Sequence, residues 1–138
     1  MRAAARHVFV WGVRLLLVAV VVQFLLAGLG IFADAYFFRV HAGVNAAVIG
    51  LLPLALVAIG AFGGVDRRTL LMTAGIFGLV VVQSILLIPY RSGVTGPLRL
   101  VSGLHAVNAL VIFWLGLELA QRTMGRRGGL PHLPSGGR

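Results

Sequence analysis

Apolar residues fall into four long stretches along this chain, each bounded by arginine, glycine or proline. A helix needs about 20 mostly apolar residues to cross a hydrocarbon core of about 30 Å. The stretches 8–32, 40–62, 69–88 and 98–120 meet that length. The connections between them are short and rich in turn residues: Gly63, Gly64 and Asp66 in the middle, then Ser92, Gly93, Gly96 and Pro97 before the last stretch. Short connections make consecutive helices antiparallel neighbours. The expected fold is therefore all-α: a four-helix transmembrane bundle in up-down-up-down order over residues 1–121, followed by a flexible basic tail at 122–138. Pro89 is expected to end the third helix and Pro53 to kink the second.

Composition agrees with lipid as the solvent. The chain is 59% hydrophobic and 11% charged, where soluble domains carry roughly 25% charged residues. The net charge of +9 could suggest nucleic acid, but the twelve basic residues punctuate apolar runs instead of forming a face, so no nucleic-acid partner is expected. With no cysteine, disulfides, iron–sulfur ligation and covalently attached haem are excluded. Ala33-Asp34-Ala35 fits the A-x-A form of a signal-peptide cleavage site, but the apolar run before it is too long for such a signal, so it reads as a retained span.

Arginines also orient the bundle. Arg2, Arg6, Arg14, Arg67, Arg68, Arg122, Arg126, Arg127 and Arg138 lie at one set of helix ends, and Arg39, Arg91 and Arg99 at the other. Positive residues stay inside, so both termini and the middle loop are expected on the cytoplasmic side.

The two halves repeat. Val20-Val21-Val22-Gln23 returns as Val80-Val81-Val82-Gln83. The segment His41-Ala42-Gly43-Val44-Asn45-Ala46 returns as His105-Ala106-Val107-Asn108-Ala109, one residue shorter. Two helical hairpins related by a pseudo-two-fold axis along the membrane normal follow from that order. The symmetry puts His41 and His105 at equivalent depth on the second and fourth helices, facing a common interior.

Neutral imidazole is a good ligand for haem iron, zinc and copper, and two imidazoles across a bundle suit the axial positions of one haem. Ala42, Gly43, Ala46 and Ala47 beside the first histidine, and Gly103, Ala106 and Ala109 beside the second, leave low walls for a flat macrocycle. Arg39, Arg91 and Arg99 stand where its propionates would emerge, and guanidinium pairs carboxylates well. Gln23, Gln83, Asn45 and Asn108 are candidates to line the pocket or orient the ligands. The plain structural reading of the same residues is close helix packing through small side chains, with Asn, Gln and His bonding across helices. Glu118 is expected to pair with Arg122 four residues on, and Asp34 with Arg39 or another outer arginine. His7 and His132 have no metal-ligand spacing to any other residue and receive no role.

The order of four helices, glutamine in the odd ones and His-Ala followed by Asn in the even ones, resembles one half of haem A synthase. It is also similar to a family of small four-helix bacterial membrane proteins, and more generally to di-histidine cytochrome b membrane anchors. The resemblance covers about residues 8–122 and implies His41 and His105 as axial ligands of one non-covalent haem b. It places the chain in a bacterial inner membrane. Haem A synthase has a second bundle and a carboxylate shortly before a ligand histidine, whereas Asp34 here is seven residues from His41. The synthase activity is therefore not carried over.

The expected function is one-electron transfer by a membrane-embedded b-type haem protein, as a subunit or partner of a respiratory membrane complex, with quinone as a candidate partner. The competing expectation is a cofactor-free accessory subunit packed against a membrane complex. A small-molecule transporter fits less well, because no broken helix pair is evident.

Overall fold

A computed structural model describes residues 1–125 of the chain. Four helices in it are long and apolar enough to cross a membrane: α1 (Arg2–Phe32), α2 (Tyr36–Phe62), α3 (Arg67–Arg91) and α4 (Pro97–Met124). The described residues contain no strand, and the fold is an all-α four-helix bundle. At 1.5 Å per residue the 31 residues of α1 extend about 46 Å, so its first turns project beyond a hydrocarbon core of about 30 Å.

Helix ends follow from local chemistry. Asp66 caps α3: its Oδ1 accepts from the Thr69 amide at 3.1 Å, and its Oδ2 accepts from the Thr69 hydroxyl at 2.7 Å. Asp34 starts α2 by accepting from the Tyr36 amide at 2.7 Å. This corrects the expectation that Asp34 pairs with an arginine, since among the described residues Asp34 is in no ion pair. It also explains why α2 begins at Tyr36, before the apolar stretch at 40–62. Gly64, Gly93 and Gly96 take positive φ in the two turn segments.

Two of the helices change type along their length, and α3 is interrupted near its end. In α2 an α-helical segment (Tyr36–Val44) gives way to a π-helical one (Asn45–Gly50), and the α-helix resumes over Leu52–Phe62. Pro53 stands in the first turn of that last segment, where its missing N–H leaves no bond unmade. In α3 the regular run ends at Leu86, but Pro89 does not end the rod: it sits in the first turn of a further short segment, Ile88–Arg91. α4 begins as a 3-10 segment (Pro97–Gly103) and continues as α-helix over Leu104–Gly125. Residues 122–125, expected in the tail, are thus helical; the rest of the expected tail, with His132, lies outside the described residues.

Each helix packs on its chain neighbours, and α1 closes the ring against α4. Membrane helices associate through close packing, since lipid tails are as apolar as the side chains. Glycines accordingly mark the α1–α2 contact. A Cβ at Gly12 would run into Leu56, one at Gly60 would lie 2.8 Å from Phe9, and one at Gly63 would lie 2.9 Å from the Arg6 backbone nitrogen.

The core repeats in register. In the odd helices Leu16 and Ile76, Val20 and Val80, and Gln23 and Gln83 are buried pairs sixty residues apart. In the even helices the buried pairs Ile49 and Ile112, and Leu56 and Leu119, are sixty-three apart, whereas His41 and His105 are sixty-four apart. The extra residue of α2 therefore falls between His41 and Ile49, where the helix turns π. A π turn closes its bonds one residue further on than an α turn and so takes up an insertion. Downstream of it the two halves are back in phase.

Candidate functional site

His41 and His105 come from diagonally opposed helices and meet at the bundle centre, with ring centroids 6.2 Å apart and ring planes at 56°. Each is held the same way. His41 Nδ1 lies 3.1 Å from the backbone oxygen of Gln23, and His105 Nδ1 lies 3.3 Å from that of Gln83. A carbonyl oxygen only accepts, and its second lone pair is free even within a helix. Nδ1 is therefore the protonated nitrogen of each neutral ring, which leaves the Nε2 lone pair for a ligand. The glutamines placed in the odd helices by the repeat act here through their backbone, a role that their side chains gave no hint of.

Both rings border three cavities. A small one of about 120 Å³ lies toward α1 and α4, beside Gln23, Phe24 and Ala106. A second of about 340 Å³ lies toward α2 and α3, beside Ala46, Phe77 and Ser84. The third, of about 680 Å³, is a mouth bordered by Arg39, Arg91 and Arg99 together with Ser102 and Gly103. The three arginines singled out from sequence are thus gathered at one opening with both histidines. Arg39 stacks on Tyr36 and Arg99 on Tyr90, each guanidinium carbon 5.2 Å from the ring centre. Among the described residues none of the three is in an ion pair. Tyr36 and Tyr90 were not anticipated, although the i,i+3 spacing of Tyr36 and Arg39 carries the signal.

Ala42, Ala46, Gly103, Ala106 and Ala109 border the space as expected, while Gly43 and Ala47 lie on the exposed side of α2. The four amides divide unequally. Asn108 is buried and donates to the Leu79 carbonyl at 2.9 Å and to Gln83 Oε1 at 3.0 Å, tying α4 to α3. Gln23 is only 7% exposed and both ends of its side-chain amide are without a partner. Asn45 borders the two smaller cavities and makes no corresponding bond to Gln23.

No group of three or more His, Cys, Asp or Glu able to hold a metal ion occurs among the described residues. Structural zinc takes four protein ligands and catalytic zinc three, so two histidines fall short for a bare zinc ion. They suffice for a metal whose other ligands come with a macrocycle. Two imidazoles sharing one metal through opposed nitrogens have centroids about 6 Å apart, from bonds of about 2 Å and about 1 Å from each nitrogen to its ring centre. The 6.2 Å between the two ring centres meets that spacing.

Elsewhere, Arg122 Nε and Glu118 Oε1 form the expected pair at 2.8 Å. His7, without a metal role, accepts from Trp11 Nε1 at 2.8 Å.

Residues 23–89 match a family described as a family of unknown function, DUF6220. The matched stretch includes Gln23, Arg39, His41, Asn45 and Gln83 and stops before Arg91, Arg99, His105 and Asn108. No curated protein and no solved structure matches the chain.

Proposed function

We propose that the chain is a membrane-embedded b-type haem protein that passes single electrons, as a subunit or partner of a respiratory membrane complex. The observation that carries this reading is the histidine pair. The two ring centres stand 6.2 Å apart, each ring with Nδ1 held by a backbone carbonyl, which leaves Nε2 as the nitrogen that could take a metal. The unpartnered Gln23 amide beside them supports a bound group, because a buried amide left without a hydrogen bond costs about 1–3 kcal/mol.

In this reading His41 and His105 would hold the haem iron, and the carbonyls of Gln23 and Gln83 hold the rings in orientation. Arg39, Arg91 and Arg99 supply the cations for two propionates. Gln23, Gln83 and Asn45 border the ligand, and Asn108 secures Gln83. A haem held by both histidines would supply one-electron chemistry at its iron. The smallest cavity is otherwise lined by apolar side chains, among them Val20, Phe24, Ile49 and Ile112. The arginine distribution supports a bacterial inner-membrane orientation with both termini cytoplasmic, so that the mouth faces outward. Quinone within the bilayer is the small-molecule partner this placement suits.

Visible absorption of the detergent-purified chain, oxidised and then reduced with dithionite, tests the reading. The expected result is a Soret band with sharp α and β bands on reduction. His41→Ala and His105→Ala should each abolish the pigment. A colourless protein after expression with ample haem overturns the assignment and leaves the accessory-subunit reading.

A further inference from the structure

The face of α1 that carries His7, Trp11 and Arg14 is away from the histidine centre and does no work there. We propose that this face binds the phosphate of an anionic phospholipid headgroup. The inference is independent of any haem.

Arg14 is a charge inside an apolar stretch. After it, Leu15–Phe32 contains no charged residue for eighteen positions. At 1.5 Å per residue that run spans about 27 Å, nearly the whole hydrocarbon thickness of about 30 Å. Arg14 consequently sits at the hydrocarbon edge, with Trp11 and His7 one and two turns further toward the headgroups. Helical side chains lean toward the N-terminus, and Arg14 does so: its guanidinium carbon lies 4.5 Å from the centre of the Trp11 ring. The indole is fixed from its other end by the bond from Nε1 to His7 Nε2. With Nε2 accepting, His7 carries its proton on Nδ1, a further donor on the same helix.

Trp11 is 54% exposed, so this ladder faces outward from the bundle and not inward. Among the described residues Arg14 has no carboxylate partner. The surrounding bundle end offers none: its acids are Asp66, engaged by Thr69, and Glu118, engaged by Arg122, against Arg2, Arg6, Arg67, Arg68 and Arg122. An intramembrane charge calls for a partner. At headgroup depth, beside an interfacial tryptophan and among other cations, the complementary group is a phosphate with excess negative charge. Guanidinium can take two of its oxygens at once.

The test uses the full chain in maltoside micelles with Trp114→Phe, which leaves Trp11 as the single tryptophan, excited at about 295 nm to spare the two tyrosines. Titration with phosphatidylglycerol should give a saturating change in Trp11 emission. Phosphatidylcholine should respond far more weakly, and inorganic phosphate at matched concentration not at all. Arg14→Gln should weaken phosphatidylglycerol binding about fivefold, the loss of about 1 kcal/mol per cation at an anionic surface. Arg14→Lys, which keeps the charge, should retain most of it and guards against a merely misfolded variant. Unchanged affinity in Arg14→Gln overturns the proposal. A response to phosphatidylcholine or to inorganic phosphate equal to that for phosphatidylglycerol does so too. An Arg14→Gln variant that loses a co-purifying membrane protein, with lipid binding untouched, would reassign the face to a partner's carboxylate.

Discussion

The α1–α2 hairpin and the α3–α4 hairpin share a plan and differ in one residue. Upstream, Leu16, Val20 and Gln23 occupy the places of Ile76, Val80 and Gln83; downstream, Ile49 and Leu56 occupy those of Ile112 and Leu119. Between them α2 carries an extra residue and winds π over Asn45–Gly50, while α4 is regular α-helix from Leu104. The core and the histidines tolerate that insertion, and the polar pairing does not. In the second hairpin asparagine and glutamine satisfy each other across α3 and α4. In the first, the equivalent glutamine is buried with nothing to bond. An insertion in a helix is thus neutral for apolar packing, which asks only for phase, and selective for hydrogen bonds, which ask for a particular neighbour.

The halves also differ in how closely their helices approach, and this difference should give the largest effect. At Gly63 an added Cβ meets the Arg6 backbone, which has no rotamer to yield. Gly63→Ala should cost about 1–3 kcal/mol, the usual range for overpacking, read as a lowered unfolding midpoint in detergent. At Gly75, in the second hairpin, the nearest atom to an added Cβ is Leu115 at an ordinary 3.8 Å. Gly75→Ala should be neutral or stabilise by up to about 1 kcal/mol, because glycine within a helix loses more freedom on folding. Equal losses at both positions would mean that the hairpins are packed alike.

A smaller contrast comes from the asparagines. Asn108→Ala leaves Gln83 and the Leu79 carbonyl without their donor and should cost about 1 kcal/mol, the scale of hydrogen bonds between membrane helices. Asn45→Ala breaks no bond and should move the midpoint by less than about 0.5 kcal/mol. A loss at Asn45 matching that at Asn108 would show that the first hairpin has a pairing of its own.

Much of this was legible beforehand, for identifiable reasons. Spans follow from twenty-residue apolar runs, and the meeting of His41 with His105 follows from the repeat. The gathering of Arg39, Arg91 and Arg99 follows from their places at the same helix ends. What was hidden depends on local geometry that hydropathy does not register. Asp34 reads as a counter-ion by charge, yet its short side chain reaches the Tyr36 amide two residues on. Pro89 reads as a terminator, yet proline is at home in a first turn and the rod restarts around it. The one-residue gap in the repeat is plain, but apolar periodicity alone does not say whether a loop, a kink or a π turn absorbs it. The spacing of four residues from His41 to Asn45 against three from His105 to Asn108 is plain in the sequence, but not that only Asn108 would bond the glutamine of its hairpin.

The unequal glutamines allow the sharpest test, because the two should respond with opposite sign. Gln83→Leu removes one of the two acceptors of Asn108 and should destabilise the cofactor-free protein by about 1 kcal/mol. Gln23→Leu removes a buried amide that bonds to nothing and should stabilise the cofactor-free protein by about 1 kcal/mol. If the π turn is the cause, then deleting Gly43 should reverse the second result. The deletion turns His-Ala-Gly-Val-Asn into the His-Ala-Val-Asn of α4 and brings Asn45 three residues from His41, as Asn108 is from His105. With the insertion gone, α2 has no reason to wind π, and Asn45 gains the geometry to donate to Gln23. In that background Gln23→Leu should cost stability instead of adding it, a change of sign measurable as a double-mutant cycle on unfolding midpoints. Should Gln23→Leu still stabilise the deleted chain, the orphaned amide owes nothing to the extra residue, and the asymmetry of the site must lie in the facing surface of α1.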